Sequence, residues 1–354
     1  MRFKAPGNRT PLELIMKINL LNRLLNDEKK TDKSLYSSGP YWDYKNRKAV
    51  YQLKKNGLEN FRGLNSGVGT SYADNLIYDF RNELNLKGRV VSTIFDLPLI
   101  KKIFQGQLTV TSNHINNYLK NLSIVYKNNE TVKNLIKKYS FDRTVEFGCV
   151  SKFNLNNLEY STHYINMAYR IDILSKTFNF KNIKSFFEIG GGFGANIHFL
   201  LTNFSNIKKI IYLDTVPNIY VGSEYLKYFY GESVKNYLDT CESKKISFDN
   251  DDKLEIICIP PWQIKQLEAK IDHFHNAASF VEMPEKVIRN YVSHIKKNKI
   301  SDISLISYGN HDPKTTFNPE SLNNFFEGNL NIEWHENLIS EYKKKLIFLT
   351  SKKN

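Results

Sequence analysis

Two acids and four glycines set the chemistry legible in this chain: Glu188, the run Gly190-Gly191-Gly192-Phe193-Gly194, and Asp214. Glycines clustered that tightly permit a sharp turn, and their missing side chains let a ligand reach the backbone. Glu188, two residues ahead of the first glycine, puts a carboxylate where a cationic amino-acid cofactor needs a partner. Asp214 closes the next apolar run and is suited to grip two ribose hydroxyls. Ala195, Phe199, Leu200 and Phe204 follow at roughly helical spacing, so the helix they predict points free backbone N–H groups at the ligand. Strand, glycine turn and helix together predict a nucleotide-binding crossover.

Two cofactors compete for that turn. Gly190, Gly192 and Ala195 fit the dinucleotide pattern G-x-G-x-x-G/A, which keeps an NAD(P)-dependent sugar-modifying oxidoreductase open. Gly190, Gly192 and Gly194 fit the tighter G-x-G-x-G turn of S-adenosylmethionine (SAM) enzymes. Glu188, and the lack of a Tyr-x-x-x-Lys pair downstream, favour SAM. Trp262, after Pro260-Pro261, is a candidate to stack on the adenine.

Methylating an alcohol needs a base near the hydroxyl and alignment of oxygen, methyl carbon and sulfur. The candidates for that base are His311, His275 and Glu282. With Asn276, Ser279 and Asp312 they lie at or just after the carboxyl ends of two predicted strands, which face the ligand crevice. A histidine titrates near working pH, whereas Glu282 can take the proton, orient a histidine or bind a sugar hydroxyl. Arg62, between Phe61 and Gly63 with Asn60 and Asn65 close by, suits a sugar hydroxyl or a phosphate. No spacing of acids and histidines is diagnostic of a metal, and none is assigned. The quartet Asp249-Asn250-Asp251-Asp252 precedes its strand, away from the ligand edge, and reads as a solvated turn.

The elements that must position these residues are constrained first by bulk composition. At 354 residues the chain holds one large domain or two modest ones, and 41% apolar against 24% charged residues describes a globular protein. The net charge of +14, from 50 Lys+Arg and 36 Asp+Glu, favours an acidic partner such as a nucleotide- or phosphate-linked sugar. A non-catalytic, basic glycan- or nucleic-acid-binding protein is the third class considered. No Lys/Arg block resembles a nucleic-acid arm, so a nucleic-acid partner is not expected. Three cysteines, none in a CxxC, fit a reducing cytoplasm. Neither a signal-peptide core nor a run of about 18 apolar residues is present, so a cytoplasmic location is expected. Nothing in the sequence sets the oligomeric state.

Thr10-Pro11-Leu12-Glu13 starts a helix whose apolar stripe is Leu14, Ile15, Ile18, Leu21 and Leu25. Residues 57–75 read as a loop, and 97–180 read as mostly helical, with segments at 119–126, 132–139 and 165–178. From 185 onward strands and helices alternate: strands at 185–189, 209–213, 254–259, 271–277, 303–307, 331–334 and 346–350. Helices are predicted at 217–229, 264–270, from Pro284 through Ile295, and at 319–326. That order predicts a mostly parallel sheet with helices on both faces. The expected division is a helical cap over 1–180 and a cofactor-binding domain over 181–354.

With these blocks placed, the chain resembles the bacterial sugar O-methyltransferase family, a branch of the class I SAM-dependent methyltransferases. The matching blocks are Tyr41-Trp42, Asn60-Phe61-Arg62-Gly63 with Ser71-Tyr72-Ala73-Asp74, and residues 188–194. Leu213-Asp214 through Pro217, Tyr225-Leu226, and Asn276 with Ser279, Phe280, Glu282 and Met283 complete them, covering about residues 40–290. The resemblance implies an α/β fold with a seven-stranded, Rossmann-like sheet whose last strand is antiparallel. It implies SAM as methyl donor and a sugar hydroxyl as acceptor, usually in surface-polysaccharide or glycolipid biosynthesis. On this reading Glu188, Gly190, Gly191, Gly192, Gly194, Asp214, Trp262, Asn276 and Ser279 serve the cofactor, and Arg62, Asn65 and Tyr72 the acceptor. His275 stands where the family pattern calls for an apolar residue.

Overall fold

The computed structural model describes residues 11–58, 61–62, 123–149, 152–298, 300, 302–309, 318–338 and 345–352. The N-terminal elements are α1 (Pro11–Glu28), α2 (Lys33–Tyr36), α3 (Pro40–Asn56), α4 (Glu130–Lys138), β1 (Phe153–Leu155), β2 (Leu158–Tyr160) and α5 (Thr162–Leu174). The alternating part runs β3 (Ser185–Ile189), α6 (Ala195–Asn203), β4 (Lys209–Leu213), α7 (Asn218–Tyr230), β5 (Val234–Lys235) and α8 (Tyr237–Thr240). It continues with β6 (Glu255–Ile259), β7 (His273–Ala277), α9 (Glu285–Lys297) and β8 (Asp302–Tyr308). The chain closes with α10 (Leu322–Phe325), β9 (Asn331–His335) and β10 (Leu346–Ser351).

The central sheet has eight strands in the order β5-β6-β4-β3-β7-β8-β10-β9. Every pair from β5 to β8 is parallel, and β10 runs antiparallel to both β8 and β9. This is the mostly parallel sheet with a reversed last strand expected of a class I methyltransferase fold. The strand beyond the expected seven is β5, a two-residue piece on the edge of β6. Two residues show no hydrophobic period, so the sequence gives no sign of it.

β3 and β6 are buried at every position because helices cover both faces of the sheet. One core packs Phe186, Ile210, Tyr212 and Ile256 with residues of α1, α5, α6 and α7. The opposite core packs Phe187, Ile211 and Ile257 with residues of α9. Strand order reverses at β3, which pairs β4 on one side and β7 on the other. The connections leaving β3 and β7 therefore diverge and open a crevice at the carboxyl ends.

Two readings of local structure are corrected. The mostly helical reading of 97–180 left out β1 and β2, which form an antiparallel hairpin. Its turn is Asn156-Asn157, both at positive φ (52° and 64°), a backbone asparagine tolerates better than most residues. The segment after Trp262 is the 3-10 turn Pro261–Gln266 rather than a helix over 264–270.

Candidate active site

The crevice is a cleft of about 490 Å³ at the carboxyl end of β3. Its floor is the glycine hairpin, Glu188 and Asp214; its walls come from α5, the start of α3 and the loop after β7.

Gly190, Gly192 and Gly194 take φ of 77°, 65° and 85°, which explains glycine at those three positions. Gly191 is needed for space: a Cβ there would lie 2.5 Å from Glu188 Oε2. The hairpin is braced from β4. Asp214 Oδ2 accepts the Gly192 N–H at 2.8 Å, and Oδ1 accepts the Thr215 N–H at 2.7 Å and Asn218 Nδ2 at 3.3 Å.

Glu188 is differently placed. It is 2% exposed, and Oε1 accepts Asn196 Nδ2 at 2.9 Å. Oε2 is buried without a hydrogen-bond partner. Burial pushes the Glu188 carboxyl up to about 8, against the Asn196 hydrogen bond. Burial likewise raises Asp214 to about 7, although Gly192 and Thr215 N–H groups favour its charged form. Two buried acids beside a glycine cradle, one with an oxygen in want of a donor, fit a ligand bearing N–H or O–H groups and positive charge.

Beyond this floor, Asn276 holds the loop. Its Nδ2 donates to Ile189 O at 2.8 Å and to Ser279 Oγ, and its Oδ1 accepts the Phe280 N–H at 3.2 Å. Ser279 lines the cleft and packs on Gly190, where a Cβ would meet its Oγ at 2.2 Å. Between them Ala278 sits at φ 66°, strained for a residue with a side chain.

His275 and Glu282 both border the cleft. His275 Nδ1 lies 2.8 Å from Ser304 Oγ, which also meets His273 Nε2 at 2.7 Å. Burial, reinforced by Arg170, pulls the His275 ring down to about 3, so it is neutral at physiological pH. Glu282 Oε2 accepts the Trp42 indole N–H at 2.8 Å, which ties α3 to the loop after β7.

Other expected site residues lie elsewhere. Arg62 is 0% exposed and does not line the cleft: its guanidinium donates to Thr144 O (2.7 Å) and Ser161 Oγ (3.0 Å) and stacks 4.9 Å from the Phe193 ring. Arg62 thus supports the glycine hairpin from behind through Phe193. Trp262 stands edge-on to Tyr237, donates to its hydroxyl at 3.3 Å, and is not among the cleft residues. Asn65, Tyr72, His311 and Asp312 fall outside the described residues. The acidic turn ion-pairs with lysines, Asp249 with Lys235 at 2.9 Å and Asp251 with Lys209 at 2.8 Å. Asp272, at the far end of β7, accepts the N–H groups of Lys184 and Ser185.

The sequence reading missed the contribution of α5. His163, Asn166, Met167 and Arg170 all line the cleft. Spacings of three and four residues on a helix were the available signal, but polar residues there read as a solvent face.

No protein-family model matches the chain, and no curated protein does. Among solved structures it is similar to magnesium protoporphyrin IX methyltransferase from Synechocystis PCC 6803 with bound SAM (TM-score 0.37, 9% identity, 54% of this chain and 80% of that one). It is also similar to a SAM-dependent methyltransferase from Archaeoglobus fulgidus (TM-score 0.35, 13% identity, 52% and 94%). A third is the mitomycin 7-O-methyltransferase (TM-score 0.35, 10% identity, 53% and 57%). These likenesses are partial, and it is the strand order and direction of the sheet that define the fold class.

Proposed function

We propose that the chain is a SAM-dependent O-methyltransferase acting on a sugar hydroxyl, of a nucleotide- or phosphate-linked sugar or a surface glycan. The observation that carries this reading is the unpartnered Glu188 Oε2, buried beside the glycine hairpin and Asp214. A cofactor with an ammonium group supplies the N–H that this oxygen lacks. Asp214 would hold the ribose hydroxyls, and the glycine backbone would line the amino-acid portion. A sulfonium donor supplies an activated methyl group and a good leaving group. The chain's own task is then to orient an alcohol and take its proton. Glu282, fixed by Trp42, can take that proton, and His275, which burial holds neutral and resistant to protonation, can hydrogen-bond the hydroxyl and orient it. The sugar as acceptor is supported by the sequence resemblance and by the net charge of +14.

Two measurements test the reading. Calorimetry should show S-adenosylhomocysteine binding and no NADH binding. Incubation with methyl-labelled SAM and a panel of nucleotide sugars and glycans should add one methyl group by mass. Tight NADH binding without S-adenosylhomocysteine binding would replace this reading with the oxidoreductase.

A further inference from the structure

Among the described residues that line the cleft, three are carboxylic acids, Glu188, Asp214 and Glu282, and Arg170 alone is a lysine or arginine. Arg170 stands on α5, one turn beyond Asn166 and two beyond His163. No carboxylate among the described residues lies within ion-pairing distance of it, although the chain has 36 acids. A half-buried guanidinium is well matched by a planar, two-oxygen partner, and no described residue supplies one. The cations beside it are suppressed: His163 and His275 are both held near 3, burial being the main cause and Arg170 a contributor. The wall thus presents one permanent positive charge, with the amides of Asn166 and Asn337 also lining the cleft.

We propose that Arg170 is the anion-reading residue of the cleft, pairing with a carboxylate or phosphate carried by a bound ligand. The inference rests on the methyltransferase reading for the two sources of that anion. One is the α-carboxylate of the cofactor; the other is an acidic group on the acceptor sugar.

The test uses full-length protein, Arg170→Gln, and Asn166→Asp. The second variant keeps the arginine but sets a carboxylate one turn away to occupy it. Calorimetry is run with S-adenosylhomocysteine, with 5′-methylthioadenosine, which lacks the amino-acid portion, and with glucose 6-phosphate, glucuronate and glucose on protein saturated with S-adenosylhomocysteine. If the anion is the cofactor's, both variants lose at least tenfold in S-adenosylhomocysteine affinity and none in 5′-methylthioadenosine affinity. If it is the acceptor's, both lose at least tenfold for the phosphorylated or carboxylated sugar, while S-adenosylhomocysteine is unaffected. Arg170→Lys should recover part of either loss. Binding of every anionic probe within twofold of wild type in both variants, or no anionic probe bound by wild type, overturns the proposal. Wild type that binds glucose 6-phosphate but no S-adenosylhomocysteine instead overturns the methyltransferase reading and leaves the sugar arm to decide on Arg170.

Discussion

Glu188 and Asp214 share charge and burial but not bonding, and that difference separates their roles. Asp214 accepts four hydrogen bonds, one from the hairpin and three from Thr215 and Asn218, so Asp214→Ala leaves the Gly192 and Thr215 N–H groups without their acceptor. The expected outcome is loss of S-adenosylhomocysteine binding together with about 1–3 kcal/mol of stability, read by calorimetry and denaturant melts. Glu188→Gln should weaken the same ligand at least tenfold while leaving stability at pH 7 no lower than wild type. Equal stability losses in the two variants would contradict this assignment. The acids and glycines were legible because few other functions need them in that order. The brace from Asp214 to Gly192 was not, because it depends on β4 lying in register beside β3.

At the scale of elements, the Trp42–Glu282 bond joins α3 to the loop that carries Ser279 and follows His275. Gly39, just before α3, packs so closely on this loop that a Cβ would come 3.3 Å from Glu282 O. Trp42→Phe keeps most of the packing and removes the N–H donor. It should lower kcat/KM for the acceptor about tenfold with S-adenosylhomocysteine affinity unchanged. A matching fall in cofactor affinity would place Trp42 in the cofactor site instead. β3, β4 and β6 were readable as mostly apolar runs bounded by lysine, glycine, proline or an acid, whereas β7, with two histidines and an asparagine, was readable mainly from its place in the alternation. The β1–β2 hairpin was missed because three-residue strands lie below the length at which alternation shows, although Asn156-Asn157 was a turn signal.

For the molecule as a whole, the buried acids and histidines pull stability in opposite directions with pH. The lowered rings of His163, His198 and His275 stay neutral in the fold while the unfolded chain protonates below about 6.5, so their contribution is lost as pH falls. Glu188 keeps its proton in the fold up to about 8, against 4.5 when free, so its contribution is lost as pH rises through that interval. Between pH 6.5 and 8 the unfolded histidines finish losing their protons, which returns about 0.4 kcal/mol per ring, while Glu188 and Asp214 together lose about 2.5 kcal/mol. The unliganded protein should therefore lose about 1 kcal/mol net between pH 6.5 and 8. Scanning Tm over that range checks it, and Glu188→Gln should flatten the decline. A Tm that climbs from pH 6.5 to 8 in wild type would refute the sign.

The shared contact of His273 and His275 with Ser304 Oγ has a consequence for proton placement. One hydroxyl carries one hydrogen, so it cannot donate to both rings at once. If it donates to His275 Nδ1, the Nε2 of that ring must carry the hydrogen and can only offer an N–H. If His275 Nδ1 donates instead, Nε2 is a bare lone pair, ready for an alcohol. The choice is biased from below, where His273 is enclosed by Phe178, Phe180 and Phe186 and its Nδ1 has no partner. An imidazole that never meets solvent thus helps set the tautomer of the one that borders the cleft.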